Sequence, residues 1–150
     1  MTLRRNLLGP APAALGIVAV LLFYPLVHSK AISITPITGL DFGTAAQGDP
    51  AKTVPPGTSE TGSNASFRVR GDDNRAYTII LPNSATLTTG IGGAGRTITY
   101  NSFTSFPTGS GGLLNNNGEQ MLYVGATRSA LSMTQVSGTY TGSFLITVVY

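Results

Sequence analysis

The sequence predicts an all-β fold, a single antiparallel β-sandwich of seven to nine short strands behind an N-terminal signal helix. Three observations predict it. Apolar residues alternate with period two in short pieces, those pieces are separated by Gly, Pro, Asn and Ser, and no stretch after Ala31 repeats apolar residues at helical spacing. On a pleated strand successive side chains point to opposite faces, so each piece has one face to bury.

Taken in order, Phe67 and Val69 alternate with Ser66, Arg68 and Arg70, and Tyr77, Ile79 and Leu81 with Thr78 and Ile80. Ile98 and Tyr100 alternate with Thr97 and Thr99, and Leu122 and Val124 with Met121 and Tyr123. In the last and longest piece Tyr140, Gly142, Phe144, Ile146, Val148 and Tyr150 share one face. Gly71-Asp-Asp-Asn74 joins two of these runs at hairpin distance, and Ala45 to Asn64 reads as a polar connection. Gly109–Gly112 and Asn115–Gly118 mark two further turns. One core is expected, drawn from Leu40, Phe42, Phe67, Val69, Tyr77, Ile79, Leu81, Ile98, Tyr100, Leu122, Val124, Phe144, Ile146 and Val148.

Residues 1–31 read as a signal peptide and residues 32–150 as the β-sandwich domain. Arg4 and Arg5 precede an apolar run from Leu7 to Val27, which Pro10, Pro12 and Pro25 shorten. The uninterrupted part, roughly 12 residues, is below the ~20 needed to cross a bilayer. Ser29-Lys-Ala31 offers small residues at a cleavage site. An uncleaved anchor is the alternative, favoured by a Lys so near the cut. The expectation is therefore a secreted protein of the periplasm, cell surface or extracellular space, with no membrane span in the mature chain.

Charge and composition narrow the function classes. The net charge of +3 comes from the leader. Beyond Ala31, Lys52, Arg68, Arg70, Arg75, Arg96 and Arg128 balance Asp41, Asp49, Glu60, Asp72, Asp73 and Glu119, so no electrostatic footprint for nucleic acid remains. His28 is the only His, and there is no Cys. The domain thus lacks imidazole and thiol, which removes Ser-His-Asp, Cys-His, His-zinc and thiol redox chemistry. A non-enzymatic domain without cofactors is the expectation.

Other motifs have bland readings. Gly90-Ile-Gly-Gly-Ala-Gly95 matches the dinucleotide fingerprint literally, but it precedes a strand and reads as a hairpin loop. Asp72-Asp-Asn74 is a weak calcium candidate whose residues turn chemistry also explains. Asn64-Ala-Ser66 is a glycosylation sequon by pattern alone. Arg68 and Arg70 read as solvated charges on an outward face. Tyr100 and Phe103 read as core, while Phe103, Phe106 and Tyr123 are the residues a sugar-binding platform would use.

The two ends of the domain carry the strongest functional signal. Ile32, Ile34 and Ile37 surround Pro36, which suits an edge strand or a bend. Ser143 to Tyr150 is apolar and free of Pro, with Leu145 and Val149 on the face that alternation would make polar. An uncovered strand of that kind is an aggregation hazard unless a partner pairs with it, which is how β-strand addition works.

Leu40-Asp-Phe-Gly-Thr44, Tyr77-Thr-Ile-Ile-Leu81, Leu122-Tyr-Val-Gly-Ala126 and Gly138 to Tyr150 resemble the bacterial secreted family known as domain of unknown function 4402. They are similar, more distantly, to spore-coat-U-type pilins of archaic chaperone–usher systems. The second resemblance implies an incomplete immunoglobulin-like, pilin-like sandwich that a periplasmic chaperone and then the next subunit complete with a strand. It implies that Tyr140, Phe144, Ile146, Val148 and Tyr150 flank an acceptor groove, with the Tyr150 carboxylate available to a chaperone. Ile32, Ile34 and Ile37 would be the donor, short for that task; otherwise the sandwich completes itself. Those pilins usually carry a disulfide, absent here. The expected partners are copies of itself or related subunits, a chaperone and an outer-membrane usher. The expected role is a structural or adhesive surface subunit. A self-contained extracellular binding module for polysaccharide is the alternative.

Overall fold

A computed structural model describes residues 29–150; the leader reading of residues 1–28, including the signal helix, lies outside them. The described chain is all β, with two antiparallel sheets stacked as a sandwich. Its strands are β1 (Ser33–Thr38), β2 (Lys52–Val54), β3 (Ala65–Arg70), β4 (Ala76–Ile80) and β5 (Ser84–Thr88), followed by β6 (Thr97–Phe106), β7 (Gly112–Leu113), β8 (Glu119–Arg128) and β9 (Thr147–Val149). A single 3-10 turn occupies Gly109–Gly111. The larger sheet has the order β1-β3-β8-β6-β5 with β2 also on β8, and the smaller sheet has the order β7-β4-β9. Among the described residues no helix is long and apolar enough to cross a membrane.

β8 is the hub of the larger sheet. Glu119–Val124 pair with β3, Ala126–Arg128 with β2, and the opposite edge carries β6. Two short strands therefore lie end to end along one long one. Gly125 sits at their joint, where a Cβ would fall 2.1 Å from the Val54 carbonyl oxygen and 2.6 Å from Pro55 and Pro56. This is the glycine of the Leu122–Ala126 block, and steric room rather than backbone conformation requires it.

The core forms where the inward faces of both sheets meet. Val69, Leu122 and Val124 from the larger sheet pack with Tyr77, Ile79, Ile146 and Val148 from the smaller. Every expected core residue is buried or half-buried, and Val54, Ala65, Leu114 and Ala126 join them. The β6 ladder shifts between Asn101 and Thr104, with Ser102 at φ 51°. That bulge resets the alternation, so Tyr100 and Phe103, three residues apart, both face the interior.

Three expectations change. Gly71–Asn74 does not close a hairpin: β3 pairs with β1 and β8, whereas β4 pairs with β7 and β9, so this turn carries the chain between sheets. The Ala45–Asn64 connection contains β2, whose Val54 is buried. The last piece is not one continuous strand. Thr141 bridges Thr88 in the larger sheet, Gly142–Ile146 belong to no ladder, and only Thr147–Val149 pair with β4. Gly90–Gly95 does form the β5–β6 hairpin loop.

Asn64 is fully buried, and its Oδ1 accepts from Thr61 N at 2.8 Å. Its Nδ2 donates to the Pro56 and Ser59 carbonyls. The sequon asparagine is thus a structural tie. Tyr77 is likewise buried; its hydroxyl donates to Gln120 Oε1 at 2.7 Å, and burial pushes its pKa up to about 12.

Two outcomes follow from these contacts. Gly125→Ala is expected to destabilise by about 1–3 kcal/mol, because backbone and not a movable side chain stands in the way, as urea unfolding would show. The phenol of Tyr77 ionises more easily in the unfolded chain than in the folded one. Its contribution is complete below the ordinary tyrosine pKa of 10.0 and is lost as pH rises through about 12. Tyr77→Phe is expected to flatten that alkaline loss in unfolding curves recorded against pH.

Candidate functional site

The unladdered segment Gly142–Ile146 and strand β1 face each other across an open seam of the sandwich. β1 pairs with β3 along one edge only, and β9 pairs with β4 along one edge only. Between them lies an apolar groove of about 430 Å³. Pro36–Leu40 line one side and Gly142–Phe144 the other, with Phe42, Ala65, Phe67, Leu87 and Tyr100 between.

Phe144 is the node of the groove. Its ring lies 5.1 Å from Phe103, 6.1 Å from Phe67 and 6.2 Å from Tyr100, the last two edge to face. Tyr100 in turn meets Phe42 edge-on at 5.8 Å. Such pairs stabilise by about 0.5–1.5 kcal/mol each beyond burial. One side chain on an unladdered segment thus anchors that segment across both core clusters.

The two sides of the seam differ in protection. β1 carries Pro36, and its pairing with β3 shifts between Pro36 and Thr38, leaving Ile37 bulged and 45% exposed. A proline and a bulge both blunt an edge. Gly142 to Tyr150 has neither, and no charged side chain. Leu145 is 76% exposed and Val149 39%.

The residues expected around an acceptor groove separate. Phe144 lines it. Ile146 and Val148 point into the main core instead. Tyr140 lies at the far end of the segment, with the one proton of its hydroxyl shared between the Gly95 and Val136 carbonyls. The side chain of Tyr150 turns away toward the β3–β4 turn, where its hydroxyl accepts from Asp72 N and donates to Lys30 O, and the Arg75 guanidinium covers its ring at 4.2 Å. Ile32 and Ile34 pack against the core, and β1 is bonded to β3 of its own chain, so a donor role requires β1 to leave that sheet. Leu40, Leu87 and Tyr100 were not expected at this groove, because period-two patterning reports a face and not the gap beside it.

The calcium candidate is a clasp of side chains. Asp72 accepts from Lys30 N at 2.6 Å, Ser29 Oγ at 2.8 Å and Arg75 Nη1 at 3.0 Å, and Asp73 pairs with Lys30 Nζ at 3.2 Å. Asn74 takes the left-handed turn conformation at φ 54°. The Lys30 amide, then Ser29 and Arg75, hold the Asp72 carboxyl below the ordinary carboxylate range. Of the expected sugar-platform residues, Phe103 is drawn into the groove cluster, while Phe106 and Tyr123 are register partners on the outer face of the larger sheet.

An all-β sandwich with an open apolar seam is the class of molecule these features define. Residues 32–150 match the family described as Domain of unknown function (DUF4402), and the chain belongs to that family. No curated protein and no solved structure matches it.

A chain cut after Ala31 lacks Ser29 and Lys30, so Asp72 is expected to titrate closer to the ordinary aspartate value there than in the uncut chain. Carbon-13 NMR of the carboxyl reads this directly. A depressed carboxylate contributes stability above its unfolded pKa that is lost as pH falls through the folded one. The acid limb of stability should therefore be steeper in the uncut chain.

Proposed function

We propose that this protein is a secreted, non-enzymatic surface subunit, structural or adhesive, that assembles by β-strand addition. The observation that carries the reading is the unprotected, unladdered stretch Gly142–Ile146 beside an apolar groove. Backbone N–H and C=O groups without ladder partners, beside an apolar groove that can take side chains, are what an added strand uses for affinity and specificity. The similarity of the terminal block to pilins of chaperone–usher systems supports copies of this chain or related subunits as partners, with a periplasmic chaperone and outer-membrane usher during export. Placement in the periplasm, at the cell surface or outside the cell goes with that route.

The binding-module alternative keeps one observation in its favour, the Phe106–Tyr123 pair on an outer face, with Phe106 45% exposed. It predicts polysaccharide binding that Phe106→Ala removes, in protein that stays monomeric.

Strand addition predicts concentration-dependent oligomers of residues 32–150 in size-exclusion chromatography and filaments in negative-stain microscopy. A peptide spanning Ile32–Gly39 is expected to cap them. Phe144→Asp is expected to abolish assembly, because its carboxylate would be enclosed among aromatic rings without a partner. Monodisperse monomer indifferent to the peptide, or normal filaments from Phe144→Asp, contradicts the reading.

A further inference from the structure

A second cavity, of about 750 Å³, adjoins the groove and shares Leu40, Phe42 and Leu87 with it. Its size falls within the roughly 300–1,000 Å³ of small-molecule sites. Phe42 and Ile98 give it apolar wall, and Gln135, Tyr140 and Arg128 give it polar wall. The β8 alternation that turns Leu122, Val124 and Ala126 inward turns Arg128 inward as well, and Arg128 is only 3% exposed.

The guanidinium there is under-partnered. Nη1 donates to the Ser129 carbonyl at 3.1 Å and Nη2 to the Pro50 carbonyl at 3.0 Å, whereas Nε has no acceptor. None of the ion pairs among the described residues includes it. A guanidinium carries five N–H donors, so each Nη keeps a second hydrogen beyond its carbonyl. A buried cation without an opposite charge is costly, and a carboxylate is the partner whose geometry a guanidinium fits best. Gln135 is 7% exposed, and the two hydrogens of its Nε2 are shared among the Gly95 and Thr97 carbonyls and the Tyr140 hydroxyl. Its Oε1 accepts from no group among the described residues and can receive a ligand hydroxyl. The acidic residue on the wall, Asp41, accepts from Gly43 N at 2.7 Å.

We infer that this cavity binds a small hydroxylated carboxylate, of the uronic-acid class, with its carboxylate on the Nη edge of Arg128. The apolar wall at Phe42 and Ile98 suits the C–H face of a sugar ring. The inference is independent of strand addition, since an assembling chain can lack this ligand and a monomer can bind it.

The probe is galacturonate, with galactose as its neutral counterpart and sodium chloride as the anion control. Nε is enclosed and belongs to the same conjugated guanidinium as the Nη edge, so its N–H resonance in the ¹⁵N-labelled protein reports the event. Galacturonate is expected to shift the Arg128 Nε–H saturably, and galactose and chloride at equal concentration are not. Arg128→Met is expected to weaken binding roughly 10- to 100-fold, the loss of a charged hydrogen bond. If that variant fails to fold, Asp41→Asn decides: removing a like charge from the wall should tighten binding several-fold. No saturable shift, an equal shift with galactose or chloride, or unchanged or weaker binding in Asp41→Asn overturns the inference.

Discussion

The chain from Thr141 to Thr147 is bonded to one sheet at its start and to the other at its end, and between them it can ladder with neither. Strands hydrogen-bond at about 4.8 Å, whereas stacked sheets lie about 10 Å apart, so a crossing segment loses partners on both sides. Each of its backbone amides and carbonyls must then find water or another molecule. The groove exists because this segment crosses where a regular strand would lie. Phe144 exists as a node because a crossing segment needs an anchor that the ladder does not supply.

The rest of the fold is arranged so that this opening is tolerable. Without disulfides, stability comes from the two joined core clusters and the ladders around β8. The charges contribute little: Arg70 and Glu119 pair at 2.7 Å in the open, where such a bond is worth about 0–1 kcal/mol. They matter more as outward-facing deterrents to sheet stacking. The β1 edge is blunted by proline and bulge, and the β5 end is tied by the Thr88–Thr141 bridge. Exposure to pairing is thereby concentrated on one stretch.

The strands were legible wherever alternation was clean. Phe67 and Val69, Tyr77 and Ile79, and Leu122 and Val124 face inward as their spacing requires. Val54 and Leu114 were not legible, because Val54 stands alone before two prolines and Leu114 is half of a Leu113–Leu114 pair between glycines and asparagines, so neither shows a period. The terminal segment deceived in a different way. Its spacing correctly placed Phe144, Ile146 and Val148 inside, but spacing specifies a face and not a neighbour, so a crossing looked like a strand. Hence one of five expected groove residues lines the groove. Arg128 could have been found: it continues the parity of Leu122, Val124 and Ala126, and an arginine on an inward face is a signal that composition alone hides. The pairing of β3 and β4 with different sheets was not available from the Gly71–Asn74 turn, whose chemistry serves a hairpin and a crossover equally.

Asn64 extends the logic of burial to the history of the molecule. The nitrogen that a sugar would have to occupy is the one that ties the Pro56 and Ser59 carbonyls together beneath the surface. An oligosaccharyltransferase can reach it only before that tie closes. In a host with such an enzyme, the fraction of chains carrying a glycan at Asn64 becomes a clock for how quickly the β2–β3 connection is sealed, and every chain so marked is one barred from the native tie.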